Sequence, residues 1–249
     1  CNRNEEMAGL EARYEKAMQD VRDRGCEDKA RLFQEAVGND SYAVTNQSLE
    51  ETTRLATSGT ELYANFYQLT EAEIRLPRGT EWDVWRPMAE EAVFPKYKDR
   101  INFAALSLDA LGLPHYGPCS LVCKPENIAH RATVFEQNCV VFMWAFNLKD
   151  AAHLPSGYRA LWEARGKIAV AKLASKIQTS TTPDQFAELL LTPGASGEHD
   201  EFIEVHIYGP LSIHSFAKVT LRKTSLPSKA ARGALVSKLA KFGIPLEII

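Results

Sequence analysis

The sequence predicts an α+β protein, in which a helical N-terminal region precedes a mixed β-sheet core with inserted helices. Two patterns support this prediction. Apolar residues recur at helical spacing near the N-terminus, and short runs of β-forming residues separated by turns fill the second half. Strands and helices do not alternate regularly, which argues against a doubly wound parallel sheet. We therefore divide the chain into a helical region, 1–110, and a strand-rich domain, 111–249.

The composition fits a folded chain. With 249 residues, of which 45% are hydrophobic and 24% charged, the chain can bury one large core or two small ones. A disordered chain and a collagen-like fibre are excluded. No apolar run reaches the roughly 18–20 residues that span a bilayer, so no membrane span is expected.

Three helices are predicted in the first 70 residues. Apolar residues at steps of three and four indicate helices over 5–24, ended by Gly25, and over 27–37, ended by 38–40. Ser48 begins a third helix that runs towards Leu69, because Glu51 stands at the capping-box position three residues later. This region would serve as a lid, a support or an arm that binds a partner.

The middle of the chain carries the first predicted strands. Prolines and aromatic residues favour short helices and loops over 70–115, with a clearer helix near 99–111. Apolar runs at 120–123, 133–135 and 139–146 predict strands, and the last run is the richest in β-forming residues.

The C-terminal third mixes basic helices with strands. A basic amphipathic helix is predicted over 158–177, and a second helix runs from a capping box at Thr182 and Gln185 to Leu191. Strands are predicted at 201–208, 216–221 and 244–249. A further basic helix precedes the last strand, over 228–242.

Charge is unevenly distributed although the net charge is only −3. The first 100 residues carry 14 basic and 20 acidic side chains, whereas residues 156–249 carry 12 and 8. The two halves could attract each other, or the basic end could bind an anion. A non-enzymatic adaptor that binds nucleic acid or an acidic partner through helices 158–177 and 228–242 is one hypothesis. The basic stretches lack the interleaved aromatic residues of proteins that bind single-stranded nucleic acid, so the adaptor hypothesis ranks below an enzymatic function.

The five cysteines are odd in number and scattered, which argues against a disulfide framework. Cys119 and Cys123 lack a second pair at zinc-site spacing. Cys139 lies in an apolar run without the cations that activate a thiol.

Residues 198–208 carry the strongest chemical signal. A glycine-rich loop leads into a strand on which Glu204, His206 and Tyr208 share one face. A glutamate in an otherwise apolar strand is costly to bury unless it is paired or has a function. The alternative is that this face is exposed to solvent.

Several short motifs lie within residues 115–249. They are Tyr116–Lys124 followed by Arg131–Glu136, Glu204-Val205-His206 before the turn Gly209-Pro210, the strand 215–221, and the terminus 242–249. Together they resemble ADP-ribosyltransferase-like toxin and effector domains. In that family, a glutamate on a late strand carries the reaction and an arginine on an early strand binds the dinucleotide.

The resemblance implies a site that uses NAD as its substrate. Glu204 would be the catalytic carboxylate, and Glu201 or His206 would orient the acceptor. Arg131, or alternatively His130, would bind the pyrophosphate. The remaining assignments are Tyr116 or Phe135 stacking on nicotinamide, and Ser180 and Thr181 in the place of the family's Ser-Thr-Ser. The chain departs from the family at its acidic pair. The family has Glu-x-Glu or Gln-x-Glu, whereas this chain has Glu201-x-x-Glu204, and this longer spacing cannot place both acids on one strand face.

The resemblance also implies partners and a location. The expected activity is transfer of ADP-ribose from NAD to a macromolecular acceptor of unknown type, and the alternative is an NAD glycohydrolase with water as the acceptor. Such a protein would be secreted or delivered into a target cell and act in its cytoplasm. An immunity or delivery partner would bind the N-terminal helices.

Overall fold

A mixed β-sheet organises the chain in the computed structural model, which describes residues 3–65, 81–94, 96–148, 154–223 and 227–249. Eight strands of these residues form the sheet, in the order β5-β4-β6-β2-β1-β3-β7-β8. Neighbouring strands are antiparallel except β7 and β8, which are parallel. The strands are β1 (Tyr42–Gln47), β2 (Ile101–Ser107), β3 (Cys119–Cys123), β4 (Ala132–Phe135), β5 (Arg159–Leu161), β6 (Glu204–Tyr208), β7 (Phe216–Leu221) and β8 (Leu246–Ile248).

Helices cover both faces of this sheet, which makes the fold α+β as predicted. On one face, α1 and α2 pack against α7 over the main apolar core. On the other face, α4 and α6 pack against each other over a smaller core. The described α-helices are α1 (Arg3–Asp23), α2 (Glu27–Asp40), α3 (Leu49–Leu55), α4 (Glu81–Val93), α5 (Pro125–Ile128), α6 (Cys139–Phe146), α7 (Arg165–Leu173), α8 (Phe186–Leu190) and α9 (Lys229–Ala240).

The first two predicted helices are confirmed. Leu10, Tyr14, Met18 and Val21 of α1 are buried in the core, whereas Met7 is exposed. The chain turns at Gly25, whose φ of 70° suits glycine. Helix α2 runs three residues past its predicted end, to Asp40. Ser48 caps α3 by accepting a hydrogen bond from the amide of Glu51, but α3 ends at Leu55. The predicted continuation towards Leu69 is wrong up to residue 65 and lies outside the described residues beyond it.

The prediction that residues 1–110 are helical is wrong for β1 and β2. These strands lie in the middle of the sheet, between β6 and β3, so the sheet crosses the predicted boundary at 110/111. Most residues of both strands are buried on both faces, so they lack the polar–apolar alternation that marks a half-exposed strand. The alanines of β2 also favoured the helix predicted near 99–111.

The strand predicted at 139–146 is also wrong, because these residues form α6. Asn138 caps this helix through its side-chain oxygen, which accepts from the amides of Val140 and Val141. Asn147 ends it with a positive φ of 50°. The cap and the packing against α4 outweigh the β preference of the sequence, which is weak on its own.

The remaining C-terminal predictions are confirmed in type. Strands β3, β4, β6, β7 and β8, and helix α9, lie within or close to their predicted ranges. The capping box of Thr182 and Gln185 is present at the turn that leads into α8. The helix predicted over 158–177 begins instead as β5 and becomes α-helical only at Arg165.

The sheet splits at its centre. Strands β1 and β2 pair only between Tyr42–Val44 and Ala105–Ser107. Beyond Val44, β1 pairs with β3, and before Ala105, β2 pairs with β6. The two strands therefore diverge over residues 45–47 and 101–104, which leaves a gap that side chains and loops must line.

None of the described helices is long and apolar enough to cross a membrane.

Two helical glycines give a matched test of the packing behind the sheet. A Cβ on Gly166 in α7 would lie 2.5 Å from the carbonyl oxygen of Gln34 in α2, whereas a Cβ on Gly233 in α9 would meet nothing within 4 Å. We expect Gly166→Ala to destabilise the fold by about 1–3 kcal/mol through overpacking. Gly233→Ala should stabilise it by about 0.5–1 kcal/mol through helix propensity. Urea unfolding of both variants measures the difference, and equal effects would contradict the close helix contact.

Candidate active site

A cavity occupies the gap between β1 and β2. The space inside it that water-sized molecules can occupy is about 100 Å³, and the gap is partly open to solvent. The diverging halves of β1 and β2 form two walls, and α4, the start of α6 and the start of β6 form the others. Two further segments, 63–65 and 113–116, contribute side chains at its edge.

Glu204 is the buried carboxylate of this cavity. It is the first residue of β6 and is only 4% exposed. Its neighbour on β2 is Ala105, whose small side chain leaves room on the cavity side. One carboxylate oxygen, Oε1, accepts a hydrogen bond of 3.1 Å from the side-chain amide of Asn138. The other, Oε2, accepts from the backbone amide of Cys139 at 3.2 Å and faces His206 Nε2 at 2.9 Å.

The N-terminus of α6 supplies two of these three donors. Asn138 uses its oxygen to cap the helix and its nitrogen to bind Glu204, so one side chain both starts the helix and fixes the carboxylate. The amide of Cys139 is one of the first amides of the helix, which lack intrahelical partners. A carboxylate at this position is also favoured by the helix dipole.

A second charged pair lines the same cavity on α4. Arg86 Nε donates to Glu90 Oε1 at 2.6 Å, one helical turn away, and Glu90 is only 1% exposed. Burial disfavours a charged guanidinium, but the carboxylates of Glu90 and Glu204 outweigh it and raise the pKa of Arg86. Both carboxylates therefore stabilise the positive charge of Arg86.

Aromatic and amide side chains complete the lining. The hydroxyl of Tyr63 lies 2.6 Å from Thr45 Oγ1 and accepts from Gln47 Nε2 at 2.6 Å. Asn46 binds the backbone of the 111–117 loop through both ends of its amide. Tyr116 stands on that loop; it is 36% exposed, yet burial and the charge of Glu204 raise the pKa of its phenol. These groups offer both ring faces and hydrogen-bonding partners to a ligand.

The structure brings together only part of the predicted site. Glu204 and Tyr116 line the cavity. His206 binds Glu204 from behind, and Phe135 packs on His206 within the core, where it is fully buried. Phe135 is therefore a core residue rather than a ring open to nicotinamide.

Four further predicted residues, like His206 and Phe135, are not among those that line the cavity. Glu201 is paired with Lys176 at the surface, three residues before Glu204. The hydroxyl of Thr181 accepts a hydrogen bond from the amide of Gln178 and closes a turn that also contains Ser180. Arg131 is held by the backbone carbonyl oxygens of Asn127 and Tyr208. The cavity is lined instead by residues of β1, β2 and α4 and of the starts of α6 and β6.

Arg131, the predicted pyrophosphate ligand, lies towards the opposite end of β6 from Glu204. Tyr208, whose carbonyl oxygen accepts from Arg131, ends β6, whereas Glu204 begins it. Four residues of extended chain separate Tyr208 from Glu204 by about 13 Å. The guanidinium that lines the same cavity as Glu204 is that of Arg86.

Sequence reasoning missed Arg86, Glu90 and Asn138. The signal for the pair was present, since an arginine and a glutamate four residues apart share a helix face. Asn138 before an apolar run is a common helix cap, but the run was interpreted as a strand. No pattern in the sequence places α4 and α6 against the same cavity.

Comparison with known proteins returned no relative: no family model matches the chain, and no curated protein matches it. The resemblance of residues 115–249 to ADP-ribosyltransferase domains therefore stays a prediction. The geometry of the cavity carries the functional proposal.

Metal binding and nucleophilic attack by a thiol have no support at this site among the described residues. Among the described residues, no three His, Cys, Asp or Glu side chains are grouped so that they could hold a metal ion. Burial, together with the charges of Glu204 and Glu90, raises the pKa of the Cys139 thiol well above its usual range. This thiol is therefore protonated near neutral pH and is not a nucleophile.

The double role of Asn138 can be tested against a simple helix cap. Ser228 caps α9 through one hydrogen bond to the amide of Ala231, at an exposed position. We expect Ser228→Ala to lower the free energy of unfolding by about 1 kcal/mol. Asn138→Ala should cost about 2–4 kcal/mol, because it also removes a donor from a buried carboxylate. Urea unfolding gives both values, and equal losses would contradict the role of Asn138 in holding Glu204.

Proposed function

We propose that this protein is an enzyme that cleaves the N-glycosidic bond of NAD and transfers ADP-ribose to a macromolecular acceptor. One observation carries the proposal: a buried carboxylate, Glu204, is fixed by three donors in the wall of a cavity that aromatic and amide side chains also line. The sequence resemblance of residues 115–249 supports the choice of NAD.

The chemistry needs a negative charge beside the ribose. Nicotinamide leaves with the electron pair of the C1′–N bond, and positive charge develops on the ribose ring. A fixed carboxylate stabilises that charge most when the site excludes water, as the burial of Glu204 does. An acceptor oxygen or nitrogen then bonds to C1′ and loses its proton, which a carboxylate at this position can take.

The rest of the lining offers the kinds of group that bind a dinucleotide. Arg86 provides a cation for the pyrophosphate, the role that the sequence suggested for Arg131. The rings of Tyr63, Phe103 and Tyr116 offer stacking surfaces. The side-chain amides of Gln47 and Asn65 also line the cavity and can form hydrogen bonds with ribose hydroxyl groups.

Hydrolysis of NAD is the second outcome that the same site allows, with water as the acceptor. The residues that cleave the bond are the same in both reactions, so the fate of ADP-ribose distinguishes them. Secretion or delivery into a target cell, and an immunity or delivery partner on the N-terminal helices, stay predictions.

The adaptor hypothesis finds less support from the first of its two basic segments, 158–177, whereas its second segment, 228–242, stays a prediction. The basic side chains of 159–176 are engaged within the chain rather than presented as an open basic surface. Arg165 donates to Ser41, and Lys172 donates to the carbonyl oxygens of Glu136 and Phe202. Further partners are the carbonyl oxygen of Val93 for Arg159, Glu11 for Lys167 and Glu201 for Lys176.

The role of the carboxylate can be tested with a matched pair of glutamates. Glu204→Gln keeps the shape of the side chain but removes the charge, so we expect NAD cleavage to fall by about 10²–10³-fold. Glu201→Gln removes a surface carboxylate outside the cavity and should leave the rate within about twofold. Release of free nicotinamide, followed by chromatography, measures both. A folded Glu204→Gln variant with the wild-type rate would refute the mechanism.

Labelled NAD separates transfer from hydrolysis. If the label is on the adenylate, transfer moves it onto macromolecules of a cell lysate, whereas hydrolysis leaves it in free ADP-ribose. The absence of nicotinamide release under both conditions would exclude both reactions.

If Arg86 rather than Arg131 binds the pyrophosphate, substitution by lysine should change KM for NAD at position 86 but not at position 131. Arg86→Lys keeps the charge beside Glu90 but loses the planar fork that binds phosphates, so KM for NAD should rise about tenfold. Arg131→Lys should leave KM unchanged, because Arg131 lies at the other end of β6. Steady-state kinetics of the two variants decide between them, and the reverse result would restore Arg131 as the phosphate ligand.

A further inference from the structure

His206 is a buried imidazole with a single hydrogen-bond partner among the described residues. Its Nε2 lies 2.9 Å from Oε2 of Glu204, and the residue is only 1% exposed. Its Nδ1 is buried without a hydrogen-bond partner in the described part of the chain. An unpaired buried nitrogen is uncommon and calls for an explanation.

Three phenylalanine rings enclose this imidazole. Ring centroids of Phe94, Phe103 and Phe135 lie 4.4, 5.3 and 5.6 Å from that of His206. Phe103 is its direct neighbour on β2, Phe94 follows α4, and Phe135 belongs to β4. The rings leave Nδ1 in apolar surroundings, where an N–H would find no acceptor.

This environment fixes both the tautomer and the charge of His206. The oxygens of Glu204 accept hydrogen bonds from Asn138 and Cys139, so a neutral imidazole donates its proton from Nε2 to the same carboxylate. Two charged groups act on the ring: Glu204 and Arg159, whose guanidinium lies over the rings of Phe94 and Phe135. Burial lowers the pKa of His206 despite the opposing effect of Glu204, and Arg159 adds to the decrease.

The hydrogen bonds also distinguish the two oxygens of Glu204. A carboxylate oxygen has two lone-pair sites. Oε2 uses both, on Cys139 and His206, whereas Oε1 accepts only the bond from Asn138 among the described contacts. Oε1 therefore keeps one acceptor site for a reacting group.

We propose that His206 is a positioning residue, which occupies Oε2 of Glu204 as a neutral donor so that Oε1 is the oxygen that meets the reacting ribose. The inference rests on the proposed function of Glu204. A neutral donor suits this task, because an imidazolium would cancel the negative charge that stabilises the transition state. His206 itself does not touch the substrate, since it is not among the residues that line the cavity and lies behind Glu204 and Phe103, which are.

Kinetics of two variants test the role. His206→Gln places an amide donor near Oε2, and we expect kcat for NAD cleavage to stay within about tenfold of wild type. His206→Leu fills the apolar site without a donor, and kcat should fall by about 100-fold because the carboxylate is no longer held in place. KM should change less than about threefold in both variants. A folded His206→Leu variant with the wild-type kcat would overturn the proposal.

Nitrogen NMR of histidine side chains in the wild-type chain gives a readout that does not depend on activity or on a variant that folds. His206 should show a single tautomer with the proton on Nε2 from pH 8 to pH 6. It should not gain its second proton near pH 6.5, the usual midpoint, because its pKa is lowered. The pH profile of kcat should likewise lack an inflection from His206 near about 6.5. A proton on Nδ1, or titration of His206 at its usual midpoint, would overturn the proposal.

The two hypotheses fail in different ways. A wild-type chain that releases no nicotinamide would overturn the proposed function, and the role of His206 with it. An active wild type whose His206→Leu variant is equally active would overturn the role of His206 alone.

Discussion

The hydrogen bonds that hold the Glu204 carboxylate are the constraint on which the site depends. A carboxylate that is 4% exposed would be expelled or neutralised unless donors replaced the water it has lost. The three donors come from separate places: a helix cap, a helix amide and a neighbour on the same strand. Helix α6 and strand β6 must therefore keep their relative positions for this acid to remain buried.

The charged groups that line the cavity are one guanidinium and two carboxylates. Arg86 interacts with Glu90 on its own helix and with the negative charge of Glu204 opposite. Breaking a buried pair is costly because the remaining charge stays desolvated. A cation of this kind is oriented before a ligand arrives, which reduces the ordering that binding requires.

The sequence predicted β3, β4, β6, β7 and β8, but it missed β1 and β2 at the centre of the sheet and β5 at one edge. Strands β3, β4 and β7 are apolar runs with turns at their ends, and such runs are recognisable alone. Strands β1 and β2 owe their state to burial on both faces, which is a tertiary effect. Glu204 was identifiable because an acid interrupts an apolar strand. Arg86 was not, since only the packing of α4 brings it near that acid.

The split in the sheet gives the cavity a particular mechanical character. Among the strand pairings of the described residues, only the short ladder of Tyr42–Val44 with Ala105–Ser107 joins the two halves, β5-β4-β6-β2 and β1-β3-β7-β8. A ligand seated in the gap would contact both halves and act as a bridge between them. Ligand binding would then make the whole sheet more rigid. Local motion at the ladder would set how readily the ligand dissociates.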